Sequence, residues 1–426
     1  MFSLLLLFLS ACNRDGYPTS VPQTQNSESS TKTLVDNRKM SCQYVSLSLK
    51  DSLRIMFRLH VPRLEKSENL QDFINSFKVM YGILPDYNSQ HFLISKQINL
   101  ENAKLTKQDI YYYLTIEVPK KPDVNEVMLI EFADSQTGKR LVQDLPLIYI
   151  TAKFREVYSL FDKNGQIPLF ASYLTTADTV QISSWQEKES KPLWVKYYKP
   201  QFPSATTPMA TTGQNILPKN IPADSIFQVQ SHQKLTFRKA GLYAVANDTT
   251  VFYSLSFWVD NNRNFPKYTH PKELIEPLVY ISLEEEMKKL TQTSTALQAK
   301  QELDRYWLKL MQGNIRKAKA IIKEFYTRVR LANQLFTSFK EGWKTDMGMI
   351  FIVFGMPNRI TKSRDKQLWT YTQNPNFSEI NFTFVQRPNQ FTDAYYTLVR
   401  YPEYEQIWYP TVELWREGKL AVAYSP

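Results

Sequence analysis

Residues 342–346 read Gly342-Trp343-Lys344-Thr345-Asp346, and the apolar run that follows stops at Gly355-Met356-Pro357. A hydroxyl and a carboxylate this close to a glycine and an indole suit two roles. One is a turn in which Gly342 takes the left-handed conformation, Thr345 and Asp346 bond backbone amides, and Trp343 plugs the corner. The other is a small binding or reactive site. Upstream, residues 305–331 hold eight basic side chains against one acidic residue, Glu324. Within that stretch Arg316, Lys317, Lys319, Lys323, Arg328 and Arg330 form a candidate binding face. Near an anionic bilayer each contributes about 1 kcal/mol.

A third chemistry belongs to Cys12. Residues 2–10 are almost purely Leu and Phe, too short to span a bilayer, and end in Leu9-Ser10-Ala11-Cys12. Small residues before a thiol admit a peptidase, and the thiol is the group that is acylated. The expected mature chain starts at Cys12, leaving Cys42 without an internal disulfide partner.

Other catalytic sets lack support. His60, His91, His232 and His270 are scattered, with no His-Glu-x-x-His or paired-Cys spacing, so no metal or other cofactor is expected. Neither a Gly-rich phosphate loop nor Gly-x-Ser-x-Gly is present. Glu284, Glu285, Glu286, Glu302 and Asp304 could supply a carboxylate pair for glycan hydrolysis, and Tyr111, Tyr112, Tyr113, Tyr197 and Tyr198 could stack on sugar rings. A periplasmic glycan binder or carboxylate-dependent glycan hydrolase is therefore the alternative to a non-enzymatic protein.

These groups must be positioned by several domains, because 426 residues exceed the roughly 250 to 300 at which a single core stops growing. Residues 1–11 read as a signal peptide and 12–39, rich in Ser, Thr, Gln, Asn and Pro, as a flexible tether. Period-two alternation over 40–150 predicts a β-sandwich, with one short helix near residues 70–77. A second sandwich, by analogy immunoglobulin-like, is predicted over 151–266 from strands at 179–185, 193–198, 234–237, 241–245 and 251–259, interrupted by a Pro-rich loop at 200–222. Residues 267–340 read as helical. Ile315, Ala318, Ile322, Phe325, Val329, Ala332 and Phe336 recur at spacings of three and four, which predicts one long basic helix. Residues 341–426 read as an α+β unit, with strands at 349–354, 369–372, 380–385 and 395–399. The fold class is multidomain: two antiparallel sandwiches, a helical segment and a C-terminal α+β domain.

The N-terminal pattern resembles that of a bacterial lipoprotein. Tyr306-Trp307, residues 325–333, Gly342-Trp343-Lys344-Thr345-Asp346, Trp369-Thr370-Tyr371 and Trp415-Arg416-Glu417-Gly418 resemble the GWxTD-domain family, lipoproteins typical of Bacteroidetes, over roughly the last 120 residues. Where that family commonly has Arg-Gly-Arg, this chain has Met347-Gly348-Met349. The resemblance implies a module without established enzymatic activity, accompanied by N-terminal sandwiches. Residues 13–16 lack the acidic cluster that resembles a surface-export signal, so the periplasmic face of the outer membrane is expected. The net charge of +11 then points to envelope proteins, anionic lipid or lipopolysaccharide rather than nucleic acid. The expected function is a non-enzymatic scaffold or accessory subunit of a cell-envelope assembly or secretion complex.

Overall fold

The computed structural model describes residues 39–121, 125–149, 153–211, 221–250, 254–372 and 379–420. The signal peptide, Cys12 and all of the tether except Lys39 lie outside these residues. No helix among them is long and apolar enough to cross a membrane.

The first sandwich contains β1 (Ser41–Ser48), β2 (Ser52–His60), α1 (Leu70–Ser76), β3 (Phe77–Leu84), β4 (Ile94–Ile98), β5 (Lys104–Gln108), β6 (Tyr111–Pro119), β7 (Asn125–Asp134) and β8 (Arg140–Ile148). Two four-stranded antiparallel sheets, ordered β1-β2-β6-β5 and β4-β3-β7-β8, enclose one core. Alternation makes this possible: Leu53, Ile55 and Phe57 of β2 are buried between half-buried neighbours, and Leu59 continues the buried face. Full burial of each such side chain contributes about 1.5–3 kcal/mol. Asp134 closes the β7–β8 hairpin by accepting from the amides of Gln136 and Thr137. The free thiol of Cys42 is buried in this core.

The second unit comprises α2 (Phe154–Val157), β9 (Tyr158–Phe161), β10 (Tyr173–Thr175), β11 (Gln181–Ser184), β12 (Pro192–Tyr198), β13 (Ser225–Gln230), β14 (Gly241–Ala246) and β15 (Leu255–Asp260). Its main sheet is ordered β10-β15-β14-β12-β13, antiparallel except for the parallel pair β10–β15. The β9–β11 pair covers one face. Residues 234–237 are not a strand: Leu235 makes only an isolated bridge to Val180. The described parts of the 200–222 segment carry neither strand nor helix.

The other face of that sheet is covered by the C-terminal module, so the boundary near residue 266 is not a gap between cores. Leu242, Ala244 and Trp258 share one apolar cluster with Tyr280, Trp307, Phe325 and Trp369. Every residue of β14 is buried as a result.

The module runs α3 (Pro271–Ile275), α4 (Glu284–Thr291), α5 (Ala296–Leu310), α6 (Ile315–Phe336), α7 (Asp346–Phe354), β16 (Arg359–Lys362), β17 (Lys366–Tyr371), β18 (Ile380–Gln386), β19 (Tyr396–Leu398) and α8 (Glu405–Arg416). Thr295 caps α5 by accepting from the Gln298 amide, and Asn314 caps α6 by accepting from the Lys317 amide. Helix α6 buries Ala318, Ile321, Phe325, Val329 and Ala332, whereas Ile315 at its start is exposed.

Residues 349–354, expected as a strand, belong instead to helix α7. All nine of its residues are buried, so no polar side interrupts the run to reveal its period. Sheet β16-β17-β18-β19 is antiparallel, and its Trp369, Phe382, Phe384 and Leu398 are buried in the core that contains α7.

Candidate functional site

The Gly342–Asp346 motif bends the chain back onto the end of α6. Gly342-Trp343-Lys344 form a single 3₁₀ turn, and φ at Gly342 is not positive, contrary to the left-handed cap expected from the sequence. Glycine is needed there for close approach: an added Cβ would lie 1.9 Å from the Ala332 carbonyl oxygen. The positive φ belongs to Gly355, at 82°, which terminates α7. Pro357, buried two residues on, cannot extend the helix.

Most polar groups in the joint are bonded internally, although Ser338 Oγ and Glu341 Oε2 are buried with no partner among the described residues. Asn333 Oδ1 accepts from the Trp343 amide at 3.0 Å, and Thr337 Oγ1 accepts from the Gly342 amide at 2.9 Å. The buried Trp343 indole donates to the Tyr268 hydroxyl at 3.0 Å, while Tyr280 donates to the Trp343 carbonyl at 2.8 Å. Thr345 Oγ1 donates to the Gly342 carbonyl and accepts from the Gly348 amide, capping α7.

Asp346 does not bond the turn amides. It accepts from the Leu398 amide at 2.8 Å and pairs with Arg400 through two hydrogen bonds of 2.6 and 3.0 Å. Arg400 also donates to the carbonyls of Thr206 and Thr207. Beside it the Lys340 ammonium donates to the Pro203 carbonyl at 2.9 Å. The motif therefore ties α7 to both the C-terminal sheet and the Pro-rich segment of the second unit. Burial pushes the Lys340 pKa down to about 8, against the raising influence of Asp346 and Glu341. Burial also lifts the Glu341 carboxyl above its usual range, opposed by Lys344 at 2.9 Å.

The candidate basic face divides on folding. Arg316, Lys319 and Lys323 are exposed, and Lys317 and Arg330 half-buried. Arg328 is only 4% exposed and does not belong to that face. Its guanidinium pairs with Glu324, donates to the carbonyls of Ile352 and Val353 at the end of α7, and lies over the Trp415 ring. A cation there complements the negative end of the helix.

Three of the five carboxylates read for hydrolysis are held in ion pairs. Arg416 grips Glu286 through two hydrogen bonds of 2.7 and 3.0 Å, Arg305 holds Glu302, and Lys300 pairs with Asp304 at 2.8 Å; Glu284 and Glu285 are exposed. Burial raises the Glu286 carboxyl, but Arg416, the Leu283 amide and Lys309 together more than reverse this and hold it below the usual range. A general acid needs the opposite shift. Tyr112, Tyr113 and Tyr198 are buried rather than offered to a ligand, and Tyr111 and Tyr197 are half-buried.

Sequence reasoning missed Arg400, Asn333, Thr337, Tyr268 and Tyr280. Each acts across a long or irregular separation that no local spacing marks. A cavity of about 420 Å³ also lies beside the motif, where Thr345 and Met347 meet Phe336, Trp369 and Tyr395.

A search of the curated proteins finds no match to the chain. The family model of the GWxTD domain matches residues 241–417, from the first residue of β14 to the turn after α8. The match thus begins earlier than the motif-based resemblance and takes in two strands of the second sheet. A match over that span, with the buried Gly342–Asp346 joint at its centre, identifies the C-terminal part of the chain as a GWxTD domain.

Proposed function

We propose that the protein is a lipid-anchored, non-enzymatic scaffold or accessory subunit of an envelope assembly or secretion complex, held at the periplasmic face of the outer membrane through Cys12. One observation carries the non-enzymatic reading: Gly342, Trp343, Thr345 and Asp346 are buried, and the polar side chains among them bond within the protein. A reactive site needs groups that reach a substrate. The motif instead ties α7 to the C-terminal sheet and to the Pro-rich segment of the second unit, the kind of joint a docking platform requires. Support for the address comes from the Leu9-Ser10-Ala11-Cys12 pattern. Exposed Arg316, Lys319 and Lys323 suit contact with anionic lipid, lipopolysaccharide or an acidic envelope protein.

Crosslinking followed by affinity purification from membranes at native abundance is expected to recover a defined set of envelope proteins; recovery of the protein alone overturns the scaffold reading. Alkyne fatty-acid labelling is expected to mark the native protein and to be lost in Cys12→Ala. Persistent label on that variant overturns the anchor.

A further inference from the structure

We propose that the cavity beside the motif is a binding site for a neutral sugar unit, a reading that does not depend on the scaffold function. It is formed where the second sheet, the end of α6, the C-terminal sheet and residues 391–396 converge. At about 420 Å³ it falls within the roughly 300–1,000 Å³ of small-molecule sites.

Its walls have two kinds of surface. Phe336, Tyr395 and Tyr396 are half-buried rings, and aromatic faces pack against the C–H face of a pyranose. Among them stand neutral hydrogen-bonding groups, including Ser256, Thr392 and Gln367. The hydroxyl of Ser338, also in the lining, is buried with no partner among the described residues. A buried hydroxyl left unpaired costs about 1–3 kcal/mol, and a ligand hydroxyl would relieve that cost.

Charge narrows the ligand class. Lys362 is the one basic residue in the lining among the described residues and is paired with Asp144 of β8 at 2.8 and 2.9 Å. An anionic ligand would have to break this pair. Among the described residues the lining contains no Asp or Glu, so the site binds without the carboxylate pair of a hydrolase. A purely aliphatic ligand would leave the hydroxyls dry. A molecule with an apolar face and a neutral hydroxyl rim satisfies both surfaces.

The test uses the full chain, with N-acetylglucosamine, its β-1,4-linked disaccharide and maltose as neutral probes, and sodium laurate and inorganic phosphate as contrasts. Saturation-transfer NMR and tryptophan fluorescence are expected to show saturable binding of at least one sugar. Ala394 is exposed at the cavity, so Ala394→Trp should obstruct the site without disturbing the core and raise Kd about tenfold, equivalent to about 1.4 kcal/mol, at an unchanged melting temperature. Ser338→Val is expected to weaken the same binding and serves as the second variant. The proposal is overturned if no sugar binds, if sugar binding is indifferent to both substitutions, or if laurate or phosphate displaces the sugar.

Discussion

The first sandwich and the GWxTD domain both bury charge, but they pair it differently. In the sandwich Asp134 and Glu126 are buried while their cations, Arg63 and Lys121, remain 30% and 39% exposed. In the domain two pairs have both partners taken out of water: the side chains of Asp346 and Arg400 are 7% and 5% exposed, and those of Glu341 and Lys344 are 9% and 11%. A pair with one solvated member loses little hydration. A doubly buried pair offsets its desolvation only when geometry and additional hydrogen bonds are good. Asp346 and Arg400 meet that condition through Leu398, Thr206 and Thr207, so the domain gains a fixed joint rather than cheap stability.

The most severe test of this contrast removes one member of each kind of pair. Asp346→Ala strands Arg400 and is expected to cost about 3–5 kcal/mol, and Trp343→Ala a similar amount through the void left by a buried indole. Asp134→Ala should cost clearly less, because Arg63 can turn to solvent. Equal losses in urea unfolding would dissolve the distinction, whereas recovery of most stability in Asp346→Leu/Arg400→Met would sharpen it.

Gly342→Ala follows, at about 1–3 kcal/mol or more, since its Cβ meets backbone that cannot rotate away. A melting temperature equal to wild type would mean that the turn shifts freely.

Lys340 supplies a pH signature. Its folded pKa of about 8 lies below the ordinary 10.5, so between those values the unfolded chain holds a proton that the folded chain lacks. Stability should therefore rise with pH through that window. The usable range is about 8 to 10, because burial raises the tyrosine hydroxyls of Tyr268 and Tyr280, and their ionisation in the unfolded chain opposes the trend at higher pH. Lys340→Met should abolish the rise, and an unchanged profile would show that another group titrates.

The smallest stability change is expected for the triple variant Arg316→Glu/Lys319→Glu/Lys323→Glu, within about 0.5 kcal/mol as for most surface substitutions, together with reduced flotation on vesicles of anionic phospholipid. Arg328→Met on the same helix should destabilise strongly and leave vesicle binding to the folded protein unaltered. The reverse ranking would return Arg328 to the exposed face.

The strands at residues 44–49 and 110–118 were legible in the sequence from alternating and β-favouring residues, the short helix at Leu70 and the long helix from Ile315 from their helical spacing, and the hairpin at Asp134 from its turn residues. The Gly355 stop was legible too, since few residues accept its φ. Tertiary structure alone decided the rest. Helix α7 has no polar side, so its sequence reads equally well as a strand. Gly342 is required by a neighbouring backbone rather than by its own torsions. Arg328 looks solvated in a run of lysines and arginines until the end of α7 is placed over it. Asp346 finds Arg400 across 54 residues, and the cavity is formed by segments from two units. Local periodicity records which side of an element faces the core; it holds no information about which distant group will be waiting there.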